Sequence, residues 1–205
     1  MYRLRIKRCL DLVCSFLLMP FFLLLLIPIS IAIKIEDRGP IFYGGTRVGK
    51  DGKEFIMYKF RSMTVNAPDI RNEDGSTYNS SIDTRVTRVG RILRETSIDE
   101  VPQIINMLKG DMSLIGPRPG LPDLLSSYSQ DEISKLRVRP GITGYTQAYY
   151  RNDITNREKR LKDAWYANNV SLWLDVKILF MTILTVLKRK GLYTNDGISK
   201  DINQK

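Results

Sequence analysis

Asp99 and Glu100 are adjacent carboxylates in a chain that contains no histidine. Without imidazole, acid–base, nucleophilic or metal chemistry must rest on carboxylates, Lys, Arg, Tyr, Ser or a bound metal. A carboxylate can attack phosphorus and hold it as an acyl phosphate. It can also share a divalent cation with phosphate oxygens, and Mg2+ prefers such ligands. Phosphoryl transfer further needs fixed cations around the moving group. Arg85, Arg88, Arg91 and Arg94 precede the acids at intervals of three, and the proline-flanked Arg118 and Arg139 follow them. The same pair also reads as an ordinary helix start, where backbone amides favour negative charge. Ser97 with Glu100 would make a capping box, whereas Asp99 as the cap would better tolerate Pro102.

The acids must be positioned by the helix they open. Val101, Ile104, Ile105 and Leu108 lie on one helical face, and Lys109-Gly110 supplies a stop. Upstream, Ile41-Phe42-Tyr43 and Phe55 to Phe60 read as strands around the turn signal Asp51-Gly52. The four arginines would fan over about half of a helix circumference. Residues 64–84 are polar, including Asn72, Glu73, Asp74, Gly75, Ser76, Asn79, Ser80 and Ser81, and suit a surface loop, a lid or a linker. Ile115-Gly116-Pro117-Arg118-Pro119 and Arg137 to Gly144 are proline-locked basic loops. Residues 156–168 read as a helix, and Ser171 can cap a last one running to Lys190. Its uncharged run, Ile178 to Leu187, is too short to span a bilayer, so it packs on the core or lies at the bilayer surface. Asp163, Tyr166 and Asp175 read as fold-holding hydrogen-bond residues, Asp111 as a turn former or a second acid near a metal, and the tail after Lys190 as frayed.

The chain carries 32 Lys and Arg against 22 Asp and Glu, a net +10 that favours anionic partners. Leu12 to Ile33 is uncharged, with Arg3, Arg5, Lys7 and Arg8 before it and Lys34 after it. No small-x-small cleavage pattern follows, and the length suits the hydrocarbon layer better than a signal peptide. Pro20 and Pro28 predict a kink or break, which fits a helix that dips into one leaflet as well as a kinked span. Basic flanks on both sides favour one anionic face. Asp11, next to the apolar run, needs a partner, with Lys7 or Arg8 at hand. Cys9 and Cys14 have no ligand company and read as small packing residues. A nucleic-acid binder would explain the charge but not the apolar run, and no recognition motif for nucleic acid occurs.

The chain resembles the bacterial sugar transferases, the monotopic polyprenyl-phosphate phosphoglycosyl transferases. The resemblance runs from Lys7-Arg8 and Asp11 to Lys190-Gly191 on several ordered motifs. They are Arg38-Gly39-Pro40-Ile41-Phe42, Arg47-Val48-Gly49, Tyr58-Lys59-Phe60-Arg61-Ser62-Met63, Asp83 to Arg91, and Ser97-Ile98-Asp99-Glu100-Val101-Pro102-Gln103. Asn106, Lys109 to Pro119, Arg139-Pro140-Gly141-Ile142-Thr143-Gly144, Tyr166 and Ser171 to Asp175 continue the match. It departs where the family has a Ser-Pro break about thirteen residues after the membrane-proximal Asp, and again over Tyr145 to Asn152.

The resemblance implies an α+β fold: a re-entrant membrane helix within residues 1–36 joined to a small cytoplasmic catalytic domain, 37–190, of short strands and amphipathic interfacial helices, then a polar tail, 191–205. It implies an enzyme of the bacterial inner membrane that moves a sugar 1-phosphate from a UDP-sugar to undecaprenyl or another polyprenyl phosphate and releases UMP, a first membrane step of surface glycan assembly. Asp99 would attack the β-phosphorus and carry the sugar phosphate, with Glu100 as its partner and Mg2+ against Asp99. Lys59, Arg88, Arg118 and Arg139 are the expected substrate-binding cations. The implied partners are the two substrates and membrane lipids, without nucleic acid, and with a homodimer as the alternative to a monomer. A basic membrane adaptor without catalysis is the competing reading.

Overall fold

A computed structural model describes residues 2–72, 75, 77, 78, 80, 82–151 and 153–187. The expected tail, residues 188–190 of the last helix, Asn152, and Glu73, Asp74, Ser76, Asn79 and Ser81 of the polar segment lie outside the described residues. A π-helical turn over Tyr2–Ile6 leads into α1, Lys7–Asp37, which continues through Pro20 and Pro28 as one helix. The expected break is therefore absent from the hydrogen-bonded element. Among apolar residues, an opened backbone would expose polar groups that nothing nearby could satisfy, which favours keeping the helix closed. Among the described residues α1 is the one helix long and apolar enough to cross a membrane.

The burial of α1 is confined to one stripe. Asp11, Ser15, Phe22, Ile29 and Ile33 are buried, and at 100° per residue they fall within an arc of about 40°. Phe16, Leu17, Leu24, Ile27 and Ile35 on the remaining surface are exposed. Phe22, Ile29 and Ile33 join a core with Phe60, Leu93 and Ile104. Both ends of α1 are tied to the same domain. Near its start Lys7 pairs with Asp175, Arg8 donates to the carbonyls of Met107 and Leu108, and Asp11 accepts from Ser113 Oγ at 2.8 Å and Leu114 N at 3.0 Å. Asp11 is thus satisfied, although by a strand about a hundred residues away and not by a direct bond to Lys7 or Arg8. At the far end Glu36 accepts the backbone N–H groups of Arg88 and Val89, and Asp37 pairs with Arg61 at 2.9 Å.

Strands β1, Phe42–Val48, and β2, Glu54–Phe60, pair antiparallel. Asp51 and Gly52 both adopt positive φ, 57° and 77°, in the turn between them, as the Asp-Gly signal requires for a tight hairpin. Helix α2, Arg88–Glu95, is capped by Thr87, whose hydroxyl accepts from Gly90 N at 2.9 Å. Arg85 therefore lies before the helix and outside the expected fan; its guanidinium grips buried Asp83 and the Pro68 carbonyl. Helix α3, Gln103–Lys109, ends at Gly110 with φ 91°, the left-handed stop that glycine adopts without penalty.

The rest of the domain is built around a parallel pair, β3, Ser113–Ile115, and β4, Gly141–Thr143. A side chain on Gly141 would stand 2.1 Å from Gly116 N, so glycine is what lets the two proline-locked loops approach. Short helix α4, Gln130–Ile133, precedes β4, and α5, Tyr145–Tyr149, follows it. Helices α6, Asn156–Asn168, and α7, Leu172–Leu187, are the last elements among the described residues, where the sequence predicts helices. Tyr166 donates to Asp175 at 2.6 Å, which bears out their structural reading. Helix α7 buries Asp175 and Ile178 on one side, while Trp173 and Phe180 on the other are 66% and 60% exposed. One long apolar helix on a mixed α+β domain is the architecture the sequence predicts.

Candidate active site

The two acids lie on a short 3-10 turn, Ile98–Glu100, between α2 and α3. Ser97 takes a left-handed conformation with φ 58°, which turns the chain sharply out of α2 and removes its side chain from a capping role. Neither expected cap forms. Pro102 stands at the start of α3, and Glu100 turns away from the Ser97 backbone toward a lysine. That lysine is Lys59, at the end of β2. Its Nζ donates to Glu100 Oε1 at 2.6 Å and lies 3.9 Å from Asp99 Oδ2. Asn106 of α3 fixes the distance between strand and turn. It accepts from Tyr58 N at 2.9 Å and donates to the Ile56 carbonyl at 2.7 Å, stitching the helix to β2.

The acids differ in electrostatics although they are neighbours in sequence. Asp99 is 8% exposed, and among the described residues no hydrogen bond reaches its carboxylate; Lys59 at 3.9 Å is its ion-pair partner. Burial pushes its pKa up to about 6, opposed by Lys59 and assisted by the charge of Glu100. Burial also works against ionised Glu100. Lys59 and Arg118 outweigh it and, with smaller help from Arg151, hold Glu100 below the usual carboxylate range. One acid is thus a charged anchor for cations, and the other is a poorly solvated carboxylate with free acceptor positions.

Of the predicted cations, the structure brings Lys59 and Arg118 to the acids; Arg118 Nη1 lies 3.9 Å from Glu100 Oε1. Arg88 is exposed at the start of α2, where its backbone N–H faces Glu36 and no contact joins its side chain to the acids. Arg94, one and a half turns later, is the arginine of the fan whose charge acts on Asp99, and its Nε donates to Ser62 Oγ at 3.0 Å. Arg139 donates from Nε to the Gly110 carbonyl at 2.8 Å, capping the opposite end of α3. Asp111 lies at that end too, accepting from Asn106 Nδ2 at 3.2 Å. Arg151, which follows α5 with φ 46°, is a cation that sequence reasoning did not single out; its charge acts on Glu100.

Among the described residues no group of three or more His, Cys, Asp and Glu gathers as a metal cage. Mg2+ does not require one, since it is commonly held by one or two carboxylates with substrate phosphates and water. The free acceptor positions of Asp99, beside ionised Glu100, fit that mode. Lys59 and Arg118 would repel a bare cation, so the fit depends on a phosphate-bearing substrate entering with it.

The model of the bacterial sugar transferase family matches residues 2–189. The chain belongs to the bacterial sugar transferase family. It is 41% identical over 202 residues to the undecaprenyl-phosphate galactose phosphotransferase of Salmonella typhimurium, covering 92% of this chain and 42% of that protein. It is 39% identical over 197 residues to EpsL, an uncharacterized sugar transferase of Bacillus subtilis, covering 96% and 94%. The undecaprenyl-phosphate glucose phosphotransferase of Komagataeibacter xylinus is 39% identical over 188 residues, 86% of this chain and 35% of that one. The chain thus spans about two-fifths of the first of these relatives and nearly all of the Bacillus protein.

Proposed function

We propose that this sugar transferase moves a sugar 1-phosphate from a UDP-sugar to undecaprenyl or another polyprenyl phosphate and releases UMP. The observation that carries the reading is the asymmetry of the acid pair: Asp99 is buried and, among the described residues, without a hydrogen-bond donor, beside a Glu100 neutralised by Lys59 and Arg118. An Asp99 oxygen forms a bond to the β-phosphorus as the bond from that phosphorus to the bridging oxygen breaks, and UMP departs with the electron pair. The sugar phosphate is then an acyl phosphate on Asp99. A phosphate oxygen of the polyprenyl acceptor attacks the same phosphorus, and Asp99 leaves as carboxylate, giving a polyprenyl diphosphate sugar. Lys59, Arg94, Arg118 and Arg151 surround the acids with the positive charge a diphosphate requires. Mg2+, held by Asp99 and the substrate phosphates, would neutralise the repulsion between carboxylate and diphosphate.

Membrane topology supports the same reading. Because both ends of α1 bind one domain, the helix cannot place its ends on opposite faces of a bilayer while these contacts hold. It enters one leaflet and keeps the acids on the cytoplasmic face, where its apolar surface and that of α7 meet the lipid carrying the acceptor. Cysteine labelling at positions 3 and 36 should report one side; opposite sides would contradict this topology. The reaction is tested by incubating the protein with a panel of UDP-sugars and undecaprenyl phosphate and measuring UMP. One sugar should give turnover that EDTA stops and Mg2+ restores. No UMP with any sugar would contradict the function, and full turnover in EDTA would contradict the metal.

A further inference from the structure

Arg118 is held by its backbone from both sides. Its N–H donates to Asp163 Oδ2 at 3.2 Å, and its carbonyl accepts from Lys135 Nζ at 3.0 Å. The two side chains are themselves charge partners at 3.6 Å, and they are 2% and 5% exposed. Each is braced in turn. Thr146 Oγ1 donates to Asp163 Oδ1 at 2.9 Å, and the Lys135 ammonium stands 5.6 Å over the ring of Tyr128. The side chain of Arg118, in contrast, is 55% exposed and reaches 3.9 Å from Glu100.

A buried ion pair is a weak source of stability, because desolvation cancels most of the attraction. This one bonds both the N–H and the carbonyl of a single residue whose neighbours, Pro117 and Pro119, already restrict the chain. We propose that Lys135 and Asp163 are positioning residues, a buried clamp that fixes the Arg118 backbone so that its guanidinium stands at the acids before the diphosphate arrives. The inference rests on the function proposed above, in which Arg118 binds the UDP-sugar. A long flexible side chain on a mobile loop would be ordered only when substrate binds, at the expense of affinity. With its backbone clamped, Arg118 has only its own rotamers left to settle.

The clamp acts through Arg118, and this distinguishes it from a general structural pair. The full chain in nanodiscs is tested as the paired swap Lys135→Met with Asp163→Leu, which removes both charges together. The swap and Arg118→Ala are combined in a double-mutant cycle. Three quantities are read: the melting temperature, the Kd for UDP, and kcat/KM for UMP release. The swap should hold the melting temperature within about 5 °C, weaken UDP about tenfold, the worth of one charge-assisted contact, and lower kcat/KM by a similar factor. In the Arg118→Ala background it should add nothing further. If the paired swap does not fold, Thr146→Val keeps both charges, removes the hydroxyl that braces Asp163, and should show a smaller effect with the same dependence on Arg118. Unchanged UDP binding and turnover would overturn the clamp, as would an equal loss in the presence and absence of Arg118. If Arg118→Ala itself changes neither quantity, the assignment of Arg118 to the diphosphate fails and the clamp's purpose falls with it. A parent protein that neither binds UDP nor releases UMP would overturn the function itself.

Discussion

Asp99 and Asp163 are both buried aspartates, yet they are treated in opposite ways. Asp163 receives the Arg118 amide, the Thr146 hydroxyl and the Lys135 ammonium. Asp11, Asp83 and Asp175 are likewise bonded by two or more donors. Asp99 has an ion-pair partner at 3.9 Å and no hydrogen bond among the described residues. Buried carboxylates are normally satisfied because an unpaired one is costly. The fold therefore satisfies the acids that hold it together and leaves Asp99, beside a cluster of cations, short of donors among the described residues. Carboxylates with perturbed pKa values cluster at functional sites.

The largest effects should follow from exchanging each aspartate for asparagine. Asp99→Asn should lower turnover by on the order of 10³-fold or more, the scale of losing a nucleophile, with the fold retained by circular dichroism. Asp163→Asn leaves Lys135 buried without its charge partner and should cost about 3–5 kcal/mol of stability, read by thermal denaturation. A stable Asp163→Asn protein beside an unfolded Asp99→Asn would reverse the comparison.

The next effect concerns Glu100. Glu100→Gln removes the ion that anchors Lys59 and Arg118, and turnover should fall by about 10²-fold, within the range for a positioned acid–base group. A slow burst of UMP should survive, whereas in Asp99→Asn it should not.

A smaller effect is visible in pH dependence. The folded pKa of Asp99, about 6, lies above its unfolded value near 3.9. Folding therefore favours the protonated form, and stability is lost as pH rises from about 4 through 6. Asp99→Asn removes that loss. Its stability advantage over the parent should be near zero at pH 4 and grow to about 3 kcal/mol at most by pH 8. Turnover should run the other way and fall as pH drops below 6, since the ionised carboxylate is the nucleophile. An advantage that shrinks with rising pH would contradict burial as the dominant influence on Asp99.

The last contrast separates the two ends of α3. Arg118→Ala at the acid end should cost catalysis, about 2.7–4 kcal/mol if it contacts the transition state directly. Arg139→Ala at the Gly110 end should cost about 1.5–3 kcal/mol of stability for a lost charged hydrogen bond, with kcat nearly unchanged. Kinetics and melting curves on the same preparations separate the two.

What the sequence made legible was local. Asp51-Gly52 announced a hairpin, the spacing of Val101, Ile104, Ile105 and Leu108 a helix, and Gly110 its end, because each depends on residues a few positions apart. Lys59, Asp99, Glu100 and Arg118 were legible from ordered motifs, and the structure draws them together. The partners of the arginines were not. Thr87 sets the start of α2 and so excludes Arg85 from the helix and turns Arg94, not Arg88, toward the acids. Whether Arg139 faces a phosphate or a helix carbonyl depends on how β3 and β4 bring distant loops together. Asp11 finds Ser113 and Leu114 across the fold, and Arg151 depends on a positive φ after α5 that its own sequence does not announce. Contacts of this kind are decided by packing between elements, which no local pattern encodes.

The proposed nucleophile, Asp99, has no hydrogen-bond donor among the described residues. The most direct measurement is the intact mass of the protein after incubation with its UDP-sugar in the absence of any lipid acceptor, with UMP quantified in parallel. The account predicts one equivalent of UMP per active enzyme, a mass gain of one sugar phosphate that peptide mapping places on Asp99, and its discharge when undecaprenyl phosphate is added. UMP that appears only with the lipid present, with no adduct trapped at any time, would mean direct transfer in a ternary complex and would contradict the account.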